Sequence, residues 1–120
     1  MVGVVGSSPI APTKLAMNPL RWFDTREVDA LAAAITADLV RRVPPSSLEA
    51  RDRQTALALR KAQEAVFARA AKFARTHKLN LYKKARLGSQ FRWALSEAGY
   101  PGEFVEAWTM ELVNLVTRGA

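Results

Sequence analysis

The sequence has no cysteine, a single histidine (His77), and only six glycines and six prolines in 120 residues. Without cysteine no disulfide can staple the fold and no thiolate can act as nucleophile or metal ligand, so a hydrophobic core must hold the chain together. One histidine cannot build a histidine-rich metal site. Long apolar runs are missing as well. The most apolar stretch, Ala30–Ala37, is closed by Asp29 and Asp38, whereas a spanning helix needs roughly 20 largely apolar residues. There is no nucleophile-elbow motif, no phosphate-binding glycine loop and no spacing that pairs catalytic carboxylates. These absences argue against an enzyme, and neither a cofactor, a metal nor a small-molecule substrate is signalled.

What is present is 49% hydrophobic residues, 24% charged residues and a formal charge of +7. That is the composition of one domain biased toward anionic partners. Residues 1–16, MVGVVGSSPIAPTKLA, differ from the rest: they carry no acid and no periodicity, and are expected to be disordered. No basic residue precedes Val2, Val4 and Val5, and Pro9 and Pro12 break any longer apolar run. A secretory signal is therefore not expected, which leaves the cytoplasm as the expected compartment.

Residues 6–14 also resemble the conceptual translation of the 3′ end of a bacterial tRNA gene. Gly6-Ser7-Ser8-Pro9 can be encoded by GGT TCG AGT CCC, similar to a T-arm, and Ala11-Pro12-Thr13-Lys14 can continue as GCT CCT ACC A, similar to an acceptor strand ending in CCA. Two readings stand: a misplaced start with translation from Met17, or an ordinary disordered leader. Either way, one domain is expected over residues 17–118.

Caps and periodicity predict an all-α fold of four helices, bundle-like, with the second helix long. Asp24 with Glu27 resembles a capping box and opens a helix from Thr25 to Arg42. Val28, Leu31, Ala32, Ile35 and Leu39 recur on one stripe, onto which Leu20, Trp22 and Phe23 are expected to fold. Ser46 with Glu49 predicts the start of the second helix, uninterrupted from Leu48 to His77, with Leu48, Leu59, Gln63, Val66, Phe67, Ala70, Phe73, Ala74 and His77 on its apolar arc. Asn80 caps a third helix that ends at Gly99, with Leu81, Leu87, Gly88, Phe91, Ala94, Leu95 and Ala98 inward. Pro101 then opens a fourth helix that runs to Arg118.

The charge is concentrated. Residues 46–98 hold twelve basic residues against Glu49, Asp52, Glu64 and Glu97, a net +8, while residues 99–120 are net −2. On the second helix, Arg53, Arg60, Lys61, Lys72, Arg75 and Lys78 lie opposite the apolar arc. Such a face suits a phosphate backbone or an acidic protein, and equally a solvated outer surface. On the third helix, Tyr82, Arg86, Ser89 and Trp93 form a second stripe flanked by Lys83 and Gln90. Two aromatics beside cations suit stacked bases or a protein hot spot, or Trp93 closes a second core layer. His77 on the apolar arc is expected to be structural, and Lys84 to lay its stem along apolar surface. A helix-turn-helix over Phe91–Leu112 fits poorly, because Glu103, Glu106 and Glu111 would face the DNA.

The stretch LNLYKKARLG from Leu79 to Gly88, with Phe91-Arg92-Trp93-Ala94-Leu95 and Ala98-Gly99-Tyr100, resembles short helical bacterial proteins of unassigned function. The resemblance implies a helical domain and brings no activity or site with it. The expectation is a non-enzymatic interaction module acting through its second and third helices, on an acidic protein partner or a second copy. Nucleic acid is the alternative, single-stranded or RNA before sequence-specific duplex DNA, and no membrane role is expected.

Overall fold

In the computed structural model, residues 22–50 and 52–118 are described. The expectations for residues 1–16, for the start at Met17 and for Leu20 lie outside the described residues. The rest forms an all-α domain: α1 (Arg26–Arg42), a short 3₁₀ turn (Pro45–Glu49), α2 (Arg53–Thr76), α3 (Leu81–Ala98) and α4 (Gly102–Arg118). At 24 residues α2 is the longest helix. No described helix is long and apolar enough to cross a membrane.

The helix ends follow local chemistry. The Arg26 guanidinium donates to Asp24 at 2.8 Å and the Arg26 backbone N–H does so at 3.1 Å, and these bonds, the guanidinium's first, hold the Asp24 carboxyl down to about 2. The box with Glu27 does not form, and α1 starts one residue later than expected. The larger correction is at α2. Ser46 does not open it: the chain makes the 3₁₀ turn, in which the Ser47 hydroxyl donates to the Pro44 carbonyl, and Asp52 caps α2 by accepting from Thr55 N–H at 2.8 Å. A carboxylate beside the free first-turn amides is a strong cap. At α3 the expected caps hold. Asn80 accepts from Lys83 N–H at 2.8 Å, and Gly99 takes φ +103°, a conformation suited to glycine.

The packing order is a ring in which α1 lies between α2 and α3, and α4 closes it against both α2 and α3. Consecutive α2 and α3 therefore sit across the bundle from one another. α1 and α3 run side by side in the same direction: Asp29 meets Arg86 near their starts, and the Tyr100 hydroxyl donates to the Val43 carbonyl at 2.6 Å just past their ends. The α1 stripe is buried as expected, together with Leu87, Phe91, Leu95, Val105, Trp108, Leu112 and Val116. On α2 the buried line is Ala62, Val66, Ala70 and Ala74; Gln63 is exposed, and Leu59, Phe67 and Phe73 are half-buried. The arc is thus rotated toward the alanines, whose small side chains let neighbouring backbones approach. Gly88 serves the same end: a Cβ there would lie 2.7 Å from Val113 Cγ2. An aromatic column of Tyr100, Phe104 and Trp108, with ring centres 4.6 and 4.8 Å apart, meets Phe67 of α2 at 5.3 Å.

Candidate functional site

The outer face of α3 is built from the side chains that its cap and core leave over. With Leu87, Gly88, Phe91 and Leu95 buried, the 3.6-residue period turns Tyr82, Ser89 and Trp93 outward. Trp93 is 62% exposed and Tyr82 42%, so Trp93 closes no second core layer. Leu81, expected inside, is 80% exposed at the first position of α3. Trp22 and Phe23, expected on the α1 stripe, are also exposed. They lie at the start of α3 instead: the Asn80 side-chain amide donates to the Trp22 carbonyl at 3.0 Å, and Phe23 meets Tyr82 edge-on at 5.1 Å. Phe23, Leu81 and Tyr82 thus gather at the start of α3, while Trp93 stands three turns farther along the same helix.

The cations expected beside these aromatics are partly engaged. Arg86 donates through Nε and Nη2 to both oxygens of Asp29, at 3.0 and 3.2 Å. Thr25 Oγ1 donates to Asp29 as well, at 3.1 Å. The Arg86 hydrogen bonds hold the Asp29 carboxyl below the ordinary carboxylate range, and Asp29 in turn raises the guanidinium. A two-point pair of this kind fixes the guanidinium plane, so Arg86 staples α1 to α3 rather than pointing at a partner. Arg92 likewise reaches Glu106 on α4 at 3.1 Å. Lys83, Lys84 and Gln90 are half-buried.

On α2, Arg53, Arg60, Lys61, Lys72 and Arg75 are exposed, as is Lys78 just beyond the helix. Among the described residues none of the six pairs with a carboxylate. Arg69, absent from the expected track, is exposed too. Because α2 and α3 lie across the bundle, this basic face and the α3 aromatic face point in different directions. The two candidate surfaces are separate.

His77 closes α2. Its Nδ1 donates to the Phe73 carbonyl at 3.1 Å, its ring stacks on Phe73 at 4.0 Å, and Nε2 stands 3.8 Å from Glu27. Among the described residues no three His, Asp or Glu side chains gather as metal ligands would. No family model, no curated protein and no solved structure matches the chain.

Proposed function

We propose that this chain is a non-enzymatic interaction module whose α3 face is the contact surface, with a second copy of the chain as its first partner. The observation that carries the reading is the exposure of Trp93 on a helix whose opposite side is fully buried. Large exposed aromatics at the centre of a helix face are the residues that dominate protein hot spots. Arg86 and Arg92 are paired with Asp29 and Glu106, so these two cations of α3 add less to the repulsion between like faces than free ones would. An acidic protein is the partner that suits the separate α2 face, where six exposed cations have no carboxylate partner among the described residues. Sedimentation velocity at micromolar protein tests the first claim: a reversible dimer that Trp93→Ala abolishes while helicity is unchanged supports it, and a monomer at all concentrations overturns it.

The same six cations favour a second reading, in which the α2 face follows a phosphate backbone. Anisotropy of labelled single-stranded RNA across a salt series tests it. Binding should weaken log-linearly, by about 0.7 per phosphate neutralised, and Lys61→Gln with Arg75→Gln should lower the slope. Failure to bind single- or double-stranded nucleic acid at low salt removes this reading.

A further inference from the structure

Between α1 and α2 lies an open groove of about 480 Å³, within the roughly 300–1,000 Å³ that small-molecule sites occupy. Its floor is apolar, formed by Ala30, Leu31 and Ala34 of α1 and by Phe73 of α2. Arg69 and Lys72 flank it from α2, both exposed and, among the described residues, without a carboxylate partner. The acid of the groove, Glu27, stands at one end beside His77. That end is ordered internally. Thr76 Oγ1 donates to the Lys72 carbonyl at 3.0 Å, and the His77 ring is held by its stack on Phe73 and its bond to the Phe73 carbonyl.

We propose that this groove binds a small amphiphilic monoanion, an aliphatic chain ending in a carboxylate. Its chain would lie over Ala30, Leu31, Ala34 and Phe73, and its carboxylate between Arg69 and Lys72. Charge decides the class. Two cations flank the floor, whereas the single acid is at the far end beside an imidazole, so an anionic head is attracted and a cationic head is repelled from the position that the chain sets for it. An uncharged chain of the same length would gain only the apolar contact. Arg69 also explains why the site is not legible from the basic track: it lies off that face, on the side of α2 turned toward α1. The site is distinct from the α3 face and stands or falls separately from it.

The test is titration of the ¹⁵N-labelled full chain with sodium octanoate, with octanol and octylammonium as controls. Octanoate should shift amides of α1 from Glu27 to Ala34 and of α2 from Arg69 to His77. Octanol and octylammonium should bind at least about tenfold more weakly, the loss that accompanies one charge-assisted hydrogen bond. Arg69→Gln with Lys72→Gln, two exposed positions, should bring octanoate down to the octanol level and leave octanol unchanged. Ala34→Leu, which fills the groove, should abolish both. Equal binding of octanoate and octanol, shifts centred on Tyr82 and Trp93, or octanoate binding indifferent to the Arg69/Lys72 pair would each overturn the proposal. If Ala34→Leu does not fold, the paired glutamine variant still decides.

Discussion

Phe91 and Trp93 are two residues apart on α3, which the helical period places on opposite sides of the helix; the packing buries Phe91 and leaves Trp93 in solvent. Phe91→Ala would leave a void among fully buried neighbours and should lower stability by about 3–5 kcal/mol. Trp93→Ala, on the exposed side, should change it by less than about 0.5 kcal/mol at protein concentrations where the chain is monomeric. Denaturant titration of both variants checks the contrast. Tyr100 carries a second consequence at this scale. Its hydroxyl is buried on the Val43 carbonyl, and burial pushes it up to about 12 from the usual phenol value of 10.0. Between those values the unfolded chain has lost the proton and the folded chain keeps it, so stability falls as pH rises through that window. Tyr100→Phe should flatten that part of the profile. At neutral pH it should weaken the fold by about 1–2 kcal/mol, because the Val43 carbonyl is left unpaired. Melting curves from neutral to strongly alkaline pH measure both effects.

At the scale of elements, the pair Asp29–Arg86 joins α1 to α3 near their starts, and Tyr100–Val43 joins the ends that follow them. Asp29 is held below the ordinary carboxylate range chiefly by its hydrogen bonds from Arg86. A carboxylate with a lowered folded-state pKa contributes stability that is fully present above its unfolded value, and that is lost as pH falls through the folded one. Asp29→Asn should therefore be less stable than the parent at neutral pH, and the difference should shrink as pH falls below the ordinary carboxylate range and the Asp29 carboxyl takes up its proton. An equal difference at neutral pH and below that range would mean that the pair contributes through shape alone. The caps show what was legible at this scale. Asn80 and Gly99 were readable because each lies at an unambiguous edge of an apolar pattern. The start of α2 was not: Ser46 and Asp52, six residues apart, both satisfy cap chemistry, and only the 3₁₀ turn Pro45–Glu49 decides between them.

For the whole molecule, the ring order places the basic α2 face and the aromatic α3 face on different sides. It also sets α2 beside the acidic α4, whose Glu103 and Glu111 remain exposed. With a formal charge of +7, like charges on α2 repel one another at low ionic strength. The Debye length shortens to about 8 Å at physiological salt, which screens that repulsion. Added salt should thus raise the melting temperature from its low-salt value, despite weakening the few exposed pairs. Lys61→Gln with Arg75→Gln should reproduce part of the gain at low salt and show less salt dependence. A melting temperature that falls with salt would mean that the surface pairs outweigh the repulsion.

The helical class, the four helices of the described residues, most of the inward stripes and the sign and location of the charge are all written in the sequence. These depend on local propensity, capping and a period that any single helix carries. Tertiary structure alone decided the ring order, because helix adjacency depends on which stripes fit against one another and not on chain order. It decided that Arg86 is occupied by Asp29, a carboxylate 57 residues away. It also decided that Trp93 stands in solvent and that Ala30 and Ala34 leave a groove beneath Arg69 and Lys72. Each of these is a relation between two helices, and a pattern read along one helix does not contain it.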